Sequence, residues 1–129
     1  MNIGELSKSS GVGAKLIRHY ESIGLIPETR RNDNGYRLYS EEDVHYVRFI
    51  KRSRELGFSL EDIKSLLGLW KNKSRSSKQV KQLAEKHLED LNLKLKQIKD
   101  MADTLKHLVH NCHGDHRPDC PILKNLEME

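Results

Sequence analysis

The sequence predicts a mainly α-helical chain: short helices interrupted by one β-hairpin, then a single long helix, then a loop closed by a short helix. Three observations carry this. Cap residues recur at Asn2, Ser40 and Ser59, each three positions ahead of an acidic side chain, Glu5, Asp43 and Asp62. Asn34-Gly35 lies between residues of strand character, a two-residue turn signal. From Ser77 to Val109 there is neither Gly nor Pro, and apolar residues recur at heptad spacing.

In the first segment, Asn2 starts a helix that ends at Gly11, a residue suited to a tight turn. A second helix follows between about Val12 and Ser22, with Leu16, Ile17 and Tyr20 as its inward stripe and Lys15, Arg18 and Glu21 facing elsewhere; Gly24 stops it. Two short helices joined by a glycine-bearing turn match both an ordinary helical hairpin and the helix-turn-helix unit, whose second helix can enter a major groove. The hairpin tips that balance. Arg30-Arg31 before the turn and Tyr36-Arg37-Leu38-Tyr39 after it form a basic, aromatic-bearing wing, able to grip backbone phosphates through arginine and a tyrosine hydroxyl. Ser40 then opens a helix to about Leu56, with Val44, Val47, Phe49 and Ile50 among its apolar positions, and Gly57 ends it. Ser59 opens another, whose expected inner face is Ile63, Leu66, Leu67 and Trp70.

Size and charge narrow the classes of function. At 129 residues and 15.0 kDa the chain is one modest domain, or a small domain with an extension. With 36% hydrophobic and 33% charged residues it is polar for a monomeric globule, so part of its stability is expected from a partner subunit. Residues 1–75 carry 14 Lys+Arg against 10 Asp+Glu, whereas residues 76–129 carry 9 of each, so the net charge of +4 lies wholly in the first part. That is a modest pointer to nucleic acid, strengthened by where the arginines fall. No signal peptide and no membrane-spanning apolar run is apparent, which predicts a cytoplasmic chain with reduced thiols.

The long segment reads as a dimerisation helix. Ala84, Leu91, Ile98 and Leu105 share one heptad position, and Val80, His87, Met101 and Leu108 another, with Lys94 interrupting the second. At ~1.5 Å per residue it runs on the order of 50 Å, too long for the first segment alone to cover. Ser77 and Cys112 fall in phase with the first heptad position.

Directly after that helix stand the only two cysteines, in the stretch Cys112-His-Gly-Asp-His-Arg-Pro-Asp-Cys120. Two thiolates on one short loop suit a soft, low-coordinate ion such as Cu(I), Ag(I) or Au(I). Cys120-Pro121 predicts the start of a short helix whose amides face the sulfur and favour the thiolate. Zinc would need about four ligands, for which His110, His113 or His116 could join the cysteines. A disulfide-based redox regulator also fits two thiols. A thiol enzyme using either cysteine with a histidine is the reading from another class; no Cys-x-x-Cys or ordered triad supports it.

Arg18-His-Tyr20-Glu21-Ser-Ile-Gly24-Leu25, Arg31-Asn-Asp-Asn-Gly35-Tyr36-Arg37-Leu-Tyr39 and Gly57-Phe58-Ser59-Leu60-Glu61-Asp62-Ile63 resemble, in order, the DNA-binding half of the MerR family of transcription regulators. The stretch from Cys112 to Cys120-Pro121-Ile122 resembles its copper-responsive branch, typified by CueR and HmrR, so the resemblance spans nearly the whole chain. His19 departs from it, since members commonly carry Phe or Tyr there. The chain also ends soon after Leu126, without the extra Cys/His tail of some members.

The resemblance implies an antiparallel homodimer, which would bring the partner subunit's Ser77 near Cys112. It also implies that divalent-ion sensors carry a cysteine where this chain has Ser77. The expected organisation is a winged helix-turn-helix DNA-binding domain over 1–70, a hinge at 71–76, an antiparallel coiled-coil dimerisation helix over 77–111, and a metal-binding loop with a short helix over 112–129. DNA contacts are expected from Lys15, Arg18, Arg31, Tyr36, Arg37 and Arg54, and Cu(I) ligation from Cys112 and Cys120, with Ser77 beside the site. The implied function is non-enzymatic: activation of metal-resistance or copper-efflux promoters by distorting their DNA, which reaches RNA polymerase through promoter remodelling.

Overall fold

Six α-helices and one two-stranded antiparallel pair make up the described part of the computed structural model, which covers residues 1–27, 30–31, 33–35, 37–72, 76–115, 118 and 120–128, with the backbone alone at 30 and 37. The chain forms two compact units, residues 1–83 and 84–129.

Local capping defines the helices of the first unit. In α1 (Ile3–Ser10) the Asn2 side chain accepts from the Glu5 amide at 2.8 Å and the Glu5 carboxylate accepts from the Asn2 amide, a reciprocal box that satisfies two of the donors a helix start leaves open. Gly11 closes this helix at φ 74°, a left-handed conformation that disfavours side chains with a Cβ. After the turn, α2 (Ala14–Ser22) packs on α1, and α1 also packs on α3 (Glu41–Glu55). The box recurs at Ser40 and Asp43, and Ser59 caps α4 (Leu60–Lys71) by accepting from the Asp62 amide at 3.1 Å. The core beneath is apolar, with Leu6, Ile17, Val47, Ile50 and Ile63 fully buried.

Two side chains of the expected inner faces are not buried. Leu16 is 44% exposed, because α1 is the neighbour of α2 and covers the arc holding Ile17 and Tyr20, leaving Leu16 at its rim. Trp70 is 38% exposed. Its ring stacks on Phe49 at 4.8 Å and meets Tyr46 edge-on at 5.8 Å, while the Lys71 ammonium lies 4.4 Å from the Tyr46 ring centre. The Tyr46 hydroxyl donates to Glu42, and that bond to a carboxylate, with burial and the charge of Glu42 adding to it, pushes the phenol pKa up to about 12.

The hairpin forms with a different turn from the one expected. Strands β1 (Arg30–Arg31) and β2 (Arg37–Leu38) pair Arg31 with Arg37 and Arg30 with Leu38, so the connection centres on Asn34 and exceeds two residues. A type I′ turn needs positive φ at both central positions; Gly35 has φ 81°, whereas among the described residues positive φ occurs at glycines alone, so Asn34 lacks it.

Beyond residues 73–75, which lie outside the described set, α5 runs from Ser77 to Asn111, the span anticipated for the long helix. One of its 35 residues, Leu108, is buried. In the second unit a short α6 (Pro121–Glu127) follows the cysteine loop. No described helix is long and apolar enough to cross a membrane.

Candidate functional site

Two sets of side chains can do chemistry with a partner, and they lie in different units. The first is basic. Lys15 and Arg18 stand exposed on α2, which carries no side-chain cap at its N-terminal Gly13. Arg31 is exposed on β1, and its Nη1 donates to the Gly35 carbonyl at 2.9 Å, holding the hairpin loop. Arg54, near the end of α3, donates to the Phe58 carbonyl at 3.0 Å and braces the turn into α4. Tyr36 lies outside the described residues, as does the side chain of Arg37, whose backbone belongs to β2. His19 is exposed beside Tyr20, with ring centres 6.2 Å apart, so it takes no place in the core.

By sequence Tyr39 is one of several strand residues. In the folded chain it is a junction: 4% exposed, its hydroxyl donates to Glu21 Oε2 on α2 at 2.9 Å, and its amide donates to the Met1 carbonyl at 2.7 Å. Alternation carries the signal for its burial but not for its partner: Leu38 turns outward at 45% exposure, and Tyr39 beside it turns in.

The second set is the cysteine pair. Cys112 follows the last residue of α5, and its amide donates to the Val109 carbonyl at 3.2 Å, the tightened turn that often ends a helix. Within the loop Gly114 takes φ 66°, and Cys120 is the N-cap of α6 with Pro121 in the first turn. The two sulfurs come to 3.6 Å as free, partly exposed thiols. The nearby Leu123 amide, then the Cys112 thiol and the Ile122 amide, hold the Cys120 thiol below the ordinary thiol range against the opposing effect of burial. Cys120 makes no side-chain cap hydrogen bond to α6, so the pull of these amides on the sulfur is electrostatic. Such a donor set, two sulfurs on one loop with amides to offset negative charge, fits a soft metal ion. His110 and His113 are exposed, and His116 lies outside the described residues. Among the described residues no three His, Cys, Asp or Glu side chains gather as a metal-holding group. Ser77 is exposed as the first residue of α5.

Residues 1–69 match the family described as MerR HTH family regulatory protein, and residues 44–108 match the one described as MerR, DNA binding. The chain belongs to the MerR family of transcription regulators. Over 98% of its length it is 53% identical to heavy metal-dependent transcription regulator 2 of Rhizobium meliloti, covering 86% of that protein. The HTH-type transcriptional regulator CueR of Salmonella typhimurium is 33% identical over 98% of the chain and 91% of its own length. Among solved structures, the transcription regulator PbrR691 of Ralstonia metallidurans in complex with lead(II) superposes with a TM-score of 0.87 at 32% identity, covering 98% of each chain. The fold is thus the mainly helical, helix-turn-helix fold of MerR regulators.

Proposed function

We propose that this chain is a homodimeric, Cu(I)-responsive activator, with Ag(I) or Au(I) as possible substitutes for Cu(I), that reads two promoter half-sites through residues 1–70 and senses metal through the loop of residues 112–129. The observation that carries the reading is the 3.6 Å approach of Cys112 and Cys120, the latter at the N-cap of α6. Likeness to a heavy metal-dependent regulator supports metal as the effector, and the donor chemistry favours a soft monovalent ion. Cys112 and Cys120 would hold such an ion, whose soft Lewis acidity would favour the thiolate form of both side chains.

The α2 helix is assigned as the recognition helix, with Lys15 and Arg18 reaching the major groove, and the hairpin as a wing whose Arg31, Tyr36 and Arg37 contact phosphates. Arg54 is assigned to the same face. Dimerisation is assigned to an antiparallel coiled coil of α5, with residues 71–76 as hinge, which brings the partner subunit's Ser77 to the metal loop and supplies no third thiolate. Closing the Cys112–Cys120 loop favours one conformation of the DNA-bound dimer, and the promoter bends and untwists so that RNA polymerase finds its elements aligned. Occupancy of the DNA need not change, since linkage requires only a difference between two bound states. Two competing readings are a Zn(II) sensor with histidine ligands and a thiol-disulfide regulator.

Anaerobically purified protein separates them by metal content and X-ray absorption. Two-sulfur coordination of a monovalent ion is expected; four-ligand zinc, or a promoter response that survives metal chelation, overturns the copper reading. Replacing Cys112 or Cys120 with Ser should abolish Cu(I)-dependent transcription in vitro while promoter binding persists.

A further inference from the structure

The hairpin and α2 are the two elements that the DNA-reading assignment requires to meet one duplex together, and each on its own is mechanically weak. β1 and β2 are two residues each, and α2 has nine residues and no side-chain N-cap. A pair of elements this short keeps a fixed mutual angle when something ties them side chain to side chain. Residue 39, directly after β2, supplies that tie: the Tyr39 ring is anchored in the core at 4% exposure and its hydroxyl donates to Glu21 Oε2 at 2.9 Å. Glu21 lies one helical turn beyond Arg18 on α2, so the bond holds the same side of the helix that carries a proposed DNA contact. A rigid ring, with two torsions and both ends held, transmits position better than a pair of long exposed side chains.

We propose that the Tyr39–Glu21 hydrogen bond is a positioning device for DNA reading: it sets the angle between hairpin and α2, so that both meet the duplex in one register. Neither residue touches DNA in this scheme. The inference rests on the assignment of α2 and the hairpin as the DNA-reading elements. Its distinguishing signature is a loss of discrimination between sequences, because a wing free to swing still finds phosphates on any duplex while the helix loses its fixed approach to base edges.

The test uses the full-length dimer and two probes: a duplex selected by the wild-type chain from a random-sequence pool, and an unrelated duplex of equal length. Tyr39→Phe and Glu21→Ala should each weaken binding to the selected duplex about tenfold, the scale of one hydrogen bond to a charged acceptor, with binding to the unrelated duplex unchanged. The double variant should lose no more than either single one, since all three lack the same bond. Glu21→Gln, which keeps an acceptor oxygen, should restore most of the discrimination. Equal affinities of wild type and both single variants for the selected duplex overturn the proposal. So does a parallel loss on both duplexes, which marks a purely structural role, and so does additivity in the double variant. If the wild type selects no sequence from the pool, the DNA-reading assignment itself falls, a result distinct from all of these.

Discussion

The helices of residues 1–83 and the long helix α5 use apolar residues at similar spacing to opposite effect. Each of α1 to α4 buries at least two of its residues, whereas α5 buries Leu108 and leaves Leu91, Ile98, Met101 and Leu105 between 39% and 63% exposed. Periodicity reports that a helix has an apolar face; it does not report what covers that face. In the first unit the cover comes from neighbouring helices of the same chain, and for α5 we assign it to a second copy. On that assignment the molecule has two kinds of stability, one independent of protein concentration and one dependent on it.

Putting a charge in the α5 face should break that comparison most severely. Ile98→Asp places a carboxylate in the proposed seam of both copies at about 2 kcal/mol or more each, so the dimer dissociation constant should rise on the order of a thousandfold. Analytical ultracentrifugation reads this, and an unchanged sedimentation profile would detach α5 from dimerisation. In the first unit, Ile50→Ala removes a fully buried side chain and should cost about 2–5 kcal/mol in denaturant unfolding, with no shift in the dissociation constant. Ser77→Cys sharpens the other end of the comparison: with a third thiolate from the partner subunit, promoter activation should spread from Cu(I) toward Zn(II), and retained Cu(I) selectivity would remove Ser77 from the site. A smaller effect is expected at Ser40→Ala, where loss of the α3 cap should lower stability by about 1 kcal/mol, measured in the same unfolding assay.

The smallest effect is a shift in reactivity. The pKa of Cys120 lies below the ordinary thiol value, so its thiolate persists as pH falls past the point where an ordinary thiol is protonated. Alkylation of Cys120 in metal-free folded protein should therefore extend to lower pH than alkylation of the same cysteine in the denaturant-unfolded chain. Matching profiles would mean that the α6 amides do not act on this sulfur.

What could be read in the sequence was mostly local. Asn2, Ser40 and Ser59 announce their helices because a cap bonds within one turn, and α5 is bounded from Ser77 to Asn111 because its Gly- and Pro-free interior has no competing conformation. The proximity of Cys112 and Cys120 follows from one loop, although their 3.6 Å separation needs the fold. Properties set by tertiary neighbours were not legible. Leu16 has the right spacing for burial yet lies 44% exposed, Trp70 finds its neighbour in Phe49 on another helix, and the hairpin centres on Asn34 although Asn34-Gly35 signals a tighter turn. The contact of Tyr39 with Glu21 spans 18 positions and leaves no periodic trace.

The aromatic cluster on α3 and α4 has a practical consequence. Trp70 is the chain's sole tryptophan, and it sits half in solvent against Phe49 and Tyr46 with the Lys71 ammonium nearby. Its ultraviolet emission therefore arises from a single known place, at the seam between those two helices. Any rearrangement of that seam, on DNA or on metal, becomes visible as a change in colour or lifetime without attaching a dye.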